Sequence, residues 1–83
     1  MKETIERGFI TDWADYRNAE DHPEEGCDFW IENDGGMQDF PGMTVDEVID
    51  DLAKDGWETD EEVQARYVGT ELGASTWMIR RSR

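Results

Sequence analysis

The chain has 83 residues, 36% hydrophobic and 36% charged, with a net charge of −14 and a pI near 4.1. That length suits one small domain spanning residues 1–83 with a modest core, and an aromatic content of 11% with four Trp argues against a disordered acidic tail. The negative field repels nucleic acid and anionic membrane and attracts basic surfaces, which argues against direct DNA or RNA binding and for a basic partner. No apolar run reaches membrane length, the N-terminus lacks a basic-then-apolar leader, and one cysteine allows no internal disulfide. The expectation is a soluble, cytoplasmic protein, in a bacterial host cell if it is phage-encoded.

Taken in chain order, residues 3–18 carry Ile5, Phe9, Trp13 and Tyr16 in a helical stripe. Gly8 and the β-favouring Phe9-Ile10-Thr11 weaken that reading, so a helix is expected with a strand as the alternative. Residues 18–26 form a polar, acidic loop around Pro23. His22, the only histidine, reads there as a solvated loop residue rather than a ligand, since no Cys or second His supports a site. Residues 27–33 alternate: Cys27, Phe29 and Ile31 face one way, and Asp28, Trp30 and Glu32 the other, a strand with one buried face. Cys27 is then a small core residue, because the neighbouring Glu25 and Asp28 disfavour a reactive thiolate. Asp34-Gly35-Gly36 marks a turn, residues 37–40 return as a short strand, and Pro41-Gly42 ends it.

Residues 43–57 give the most consistent signals in the chain. Thr44 is a good N-cap and Glu47 completes a capping box, while Met43 and Val48 are spaced as a hydrophobic staple. Val45, Val48, Ile49 and Leu52 recur as one apolar stripe, and Gly56 stands where a left-handed stop is wanted, with Trp57 able to fold back on the last turn. A helix is predicted here. Beyond it, residues 57–62 are acidic, Val63, Ala65 and Tyr67 alternate as a strand, residues 69–73 read as a hairpin loop, and residues 75–81 close with Trp77 and Ile79 on one side. The predicted fold is α+β: a small antiparallel sheet of three to four strands, with the central helix packed on one face and an N-terminal helix.

Leu52, Gly56, Trp57 and Glu58, followed by a hairpin and a strand ending in Arg80-Arg81, resemble a group of small bacterial and phage domains. In these a helix ends in "L…GWE" and a closing strand ends in a basic residue. The resemblance covers residues 44–81 and implies the α+β fold without any activity.

Enzyme chemistry finds no support. There is no Gly-x-Ser-x-Gly elbow, one Cys and one His flanked by acids make a poor dyad, and no phosphate loop is present. With 22 acidic residues, two close carboxylates carry little information about acid–base catalysis. The EF-hand pattern is absent, so no metal or cofactor site is expected.

The acidic surface remains. Residues 20–62 hold 17 Asp/Glu against one Lys, a local net of −16. On the predicted central helix Asp46, Glu47, Asp50, Asp51 and Asp55 point away from the apolar stripe. Like charges at i, i+4 cost a few tenths of a kcal/mol each, and Asp50, Asp51 and Asp55 lie toward the negative end of the helix dipole. Carboxylates at that spacing repeat about every 6 Å along the axis, near the phosphate spacing of a single strand, and Glu58, Asp60, Glu61 and Glu62 continue the rows. In size and charge the chain resembles the phage-encoded DNA mimics, the anti-restriction proteins and acidic anti-CRISPR inhibitors. That class implies an acidic inhibitor that blocks the basic groove of a CRISPR effector, restriction enzyme or similar protein, with Trp30 as an exposed aromatic anchor. The alternative is a salt-adapted or merely soluble domain with no basic partner, a reading to which two Lys against six Arg contribute.

Overall fold

The computed structural model describes residues 4–16, 25–32 and 35–82. In order they form β1 (Thr4–Asp12), α1 (Trp13–Tyr16), β2 (Gly26–Ile31), β3 (Met37–Pro41), α2 (Val45–Ala53), β4 (Trp57–Thr59), α3 (Glu61–Arg66), a 3₁₀ turn (Glu71–Ala74) and β5 (Thr76–Ser82). The strands build one antiparallel sheet in the order β3-β2-β1-β5-β4, so the first strand of the chain is its centre. The fold is α+β as expected, with five strands rather than three or four.

The N-terminal helix expected over residues 3–18 is a strand followed by a single helical turn. The stripe that suggested a helix has a spacing of four, which also satisfies the period of two. Ile5 and Phe9 therefore share one face of β1. The tie is decided by pairing: β1 is bonded to β2 along residues 8–12 and to β5 along residues 4–10, so β-favouring Phe9 and Ile10 are paired on both sides and Thr11 on one. Gly8 serves the same end. A Cβ there would lie 2.5 Å from the Trp30 carbonyl oxygen and 2.7 Å from the Phe29 ring. Its absence lets that ring lie over β1 and meet Trp57 edge-on, centroids 4.8 Å apart.

Residues 63–67, expected as a strand, lie in and just beyond α3. Asp60 caps this helix by accepting from the Val63 N–H at 3.2 Å, Glu61 and Glu62 occupy its first turn and Arg66 its last. The strand that completes the sheet is instead the three-residue β4. Residues 18–24, with His22, and residues 33–34 of the expected turn lie outside the described part of the chain.

The central helix forms as its sequence predicts. The Thr44 hydroxyl accepts from the Glu47 N–H at 3.3 Å, and the Glu47 carboxylate accepts from the Thr44 N–H at 3.1 Å, closing the capping box. Val48 and Leu52 are buried, with Met43, Val45 and Ile49 packed at the margin. They close on Ile10, Cys27, Phe29, Phe40, Trp57 and Met78 from all five strands, which makes this face the core. Gly56 turns the chain at φ 90°, and Trp57 folds back into that core. At the margin Arg80 stacks over the Trp57 ring at 4.7 Å and grips both oxygens of Glu6 at 3.0 and 3.1 Å.

Among the described residues the opposite face is covered only at its ends. Trp13 packs over Gly26 at one end, and Val63 and Tyr67 bring α3 onto Trp77 at the other. Between them an aromatic row crosses the sheet, Trp30 to Phe9 to Trp77, with centroids 6.3 and 4.9 Å apart. No helix among the described residues is long and apolar enough to cross a membrane.

Candidate protein-binding surface

The apolar stripe of α2 fixes where its carboxylates go. With Val48 and Leu52 turned to the sheet, Asp46, Glu47, Asp50 and Asp55 are exposed, and Asp51 lies at the margin, 3.9 Å from Lys54. The helix has no basic residue in its last turn, so the C-cap Lys54 is the cation that meets the negative end of its dipole near Asp50 and Asp51. The side chains of Asp46, Asp50 and Asp55 make no hydrogen bond or ion pair with any described residue. Two pairs result within α2, Asp46–Asp50 and Glu47–Asp51, each with a spacing of about 6 Å. Asp55, expected to continue the second row, lies beyond Ala53 in the turn that ends the helix, its N–H bonded to the Leu52 carbonyl.

The structure does not extend those rows into residues 58–62. Strand register puts Met78 on the α2 side of β5 and Trp77 on the other, and α3 packs on the Trp77 side. Glu58, Glu61 and Glu62 therefore lie across the β4 edge from α2. They are brought together with one another, lining a cleft of about 390 Å³ with Ile79 and Arg81. Glu62 pairs with Arg66 at 3.1 Å, whereas Glu58 and Glu61 have no partner among the described residues.

Asp60 corrects the sequence reading. It is 7% exposed, caps α3 and accepts from Arg7 Nε at 3.2 Å, an ion pair that ties α3 to the central strand. Asp60 is therefore not part of an exposed acidic row, and its carboxylate serves the fold. Trp30 is corrected as well. It is half-buried, donates from Nε1 to the Thr11 hydroxyl at 3.1 Å and stacks on Phe9. It lies on the face opposite α2, so it cannot anchor a partner seated on the acidic helix.

One acid escaped sequence reasoning. Asp28 alternates outward from the core face, yet it is 1% exposed because the turn at Trp13 closes over it. Its carboxylate accepts from Trp13 Nε1 at 3.0 Å and shares a hydrogen bond with Asp39 across the strand pair. Burial pushes the Asp28 carboxyl up from its ordinary 3.8, the bond with Asp39 raises it further, and the indole bond opposes both. No signal in the sequence marks it, since its burial depends on Trp13, 15 residues away. Cys27 is buried in the core, its thiol 3.4 Å from the Met43 carbonyl oxygen. Among the described residues no group of three or more His, Cys, Asp or Glu is placed to hold a metal ion.

Compared with known families, characterised proteins and solved structures, the chain finds no match.

Proposed function

We propose that this protein is an acidic protein-binding inhibitor whose α2 surface imitates the charge of a nucleic-acid strand and occupies the basic groove of a bacterial nucleic-acid-handling protein. The observation that carries the reading is the set of unpartnered carboxylates Asp46 and Asp50 on the exposed side of α2 and Asp55 in the turn that ends it. Asp50 and Asp55 engage nothing in the fold, Asp46 contributes only its favourable place in the first turn of α2, and the like-charge neighbours cost a few tenths of a kcal/mol per pair. A groove lined by Lys and Arg meets such a surface with complementary potential, and exclusion of the real ligand follows from simple occupancy. The helix is capped at its N-terminus and anchored along its stripe, so its charges are presented without an ordering cost on binding.

The test is affinity capture from bacterial lysate at about 0.1 M salt, where exposed charges still act over roughly 10 Å, with elution by duplex DNA. An Asp50→Lys/Asp51→Lys variant is run in parallel. The expected result is a nucleic-acid enzyme or CRISPR effector retained by the native protein, released by DNA and lost with the variant. Equal retention by both proteins overturns the α2 assignment. The same unpartnered acids also favour a salt-adapted domain without a basic partner. That reading expects scattered basic proteins that wash off in mild salt, together with a large rise in melting temperature in molar salt as self-repulsion is screened.

A further inference from the structure

A second surface lies across the sheet from α2, where α3 meets the ends of β4 and β5. It is a cleft of about 530 Å³, walled by Ala65 and Val68 on one side and by Trp77 and Thr76 on the other. Its lining is mainly apolar, and Val68 is 75% exposed, more than Ile5 at 45% or Met37 at 47%. Trp77 is held in place by Tyr67 at 5.2 Å and Phe9 at 4.9 Å, so this wall is rigid. Glu61 lines this cleft and also the acidic one that holds Glu58, so the two adjoin at its side chain.

We infer that this groove docks a peptide segment of a partner protein in which an arginine stands beside an apolar side chain. The charges select the occupant. Of the acids here, Asp60 is engaged by Arg7 and Glu62 by Arg66. Glu58 and Glu61 remain without a partner among the described residues, and both are exposed. With Arg7, Arg66 and Arg81 all counted, the four carboxylates of this region still leave it negative. An arginine suits both halves of the groove: its methylene stem covers Ala65 and Val68 while its guanidinium reaches Glu61 in a forked, charge-assisted pair. The adjacent apolar side chain then fills the space beside Trp77. An anionic or wholly apolar segment gains only one of these two sets of contacts. The groove is independent of the α2 reading, since it lies on the other side of the sheet and uses different residues.

The test is a titration of the ¹⁵N,¹³C-labelled full chain with the peptide acetyl-Leu-Arg-Leu-amide, followed by chemical-shift mapping, against acetyl-Leu-Gln-Leu-amide as the neutral control. The expected result is saturable shifts at Ala65, Val68 and the Trp77 indole with the arginine peptide, at least threefold weaker with Glu61→Gln and absent with Ala65→Trp, which fills the groove. The unperturbed remainder of the spectrum verifies that each variant is folded. The Asp50→Lys/Asp51→Lys variant is expected to bind the peptide as the native chain does, which separates this groove from the acidic helix. Equal shifts with both peptides, shifts confined to α2, or no shifts at all would each overturn the inference.

Discussion

Replacing Asp28 with Asn is expected to stabilise the folded chain at neutral pH, by an amount that grows as pH rises. Asp28 is 1% exposed, and burial raises its carboxyl above the ordinary 3.8, with the shared bond to Asp39 adding to the rise. The folded chain therefore holds this proton more tightly than the unfolded chain. Stability from the group is fully present below 3.8 and is lost as pH climbs through the folded value, about 1.4 kcal/mol for each unit of elevation. Asn imitates the protonated acid. Its carbonyl oxygen can keep the 3.0 Å bond from Trp13 Nε1, and its amide can donate to Asp39 without carrying a charge. Urea unfolding followed by Trp fluorescence, from about pH 3 to pH 8, gives the difference between variant and native chain at each pH. Taking the difference removes the general self-repulsion of a chain at −14, which changes over the same range. The gap is expected to be smallest at the acid end, to widen upward and then to level off. As a control, Asp28→Ala removes the acceptor of the Trp13 bond and is expected to cost about 1–3 kcal/mol at the acid end, the cost shrinking as pH rises because only the native chain loses the contribution of the protonated acid. An Asn variant no more stable than the native chain at pH 7, or a gap independent of pH, would refute the account of Asp28 as a carboxyl strained by its burial.

Two further outcomes test the fold that carries the surfaces. Gly8→Ala places a Cβ 2.5 Å from the Trp30 carbonyl oxygen and 2.7 Å from the Phe29 ring, so the β1–β2 pair must spread and the ring must shift from Trp57. The expected loss is about 1–3 kcal/mol in a denaturant melt, and a neutral result would show that Phe29 does not lie across β1. Thr44→Ala removes the acceptor for the Glu47 N–H and half of the capping box. It is expected to cost about 1 kcal/mol, with Thr44→Ser recovering most of it in the same assay.

The central helix was legible because every signal that makes it is local. Cap, staple, stripe and stop all lie within 15 residues, and none needs a distant partner to be read. β1 was not, because Ile5, Phe9 and Trp13 are spaced by four, a number compatible with both periods. Only pairing with β2 and with β5, more than 60 residues on, selects the strand. The alternation of Val63, Ala65 and Tyr67 misled in the other direction. Val63 and Tyr67 are also i and i+4, one face of a helix against Trp77, and the Asp60 cap three residues before Val63 was the overlooked cue. β4 has too few residues to show a period at all. For the candidate surfaces, composition located the acids but could not rank them. Asp60 and Glu61 are neighbours of the same chemistry, and what separates them is Arg7, 53 residues away from the cap it braces.

That separation bears on how the acidity is to be understood. Several of these acids have an identifiable task in the fold. Glu6 holds Arg80 over Trp57, Asp12 accepts from the Ala14 N–H as the chain turns into α1, and Asp28 holds Trp13. Glu47 caps α2, Asp60 caps α3 and binds Arg7, and Glu62 pairs with Arg66. Of the described carboxylates that none of these tasks engages, Asp46, Asp50 and Asp55 gather on the outer surface of α2 and its closing turn and Glu58 and Glu61 beside the α3 groove, while Glu25 and Glu32 are exposed apart from both groups. For solubility alone any exposed position serves. Sorting matters when charges must meet something at fixed places. The two groups sit on opposite sides of a sheet whose edge between them is the three-residue β4. A single straight groove in a partner can therefore engage one group but not both, and a partner that meets both must wrap around that edge.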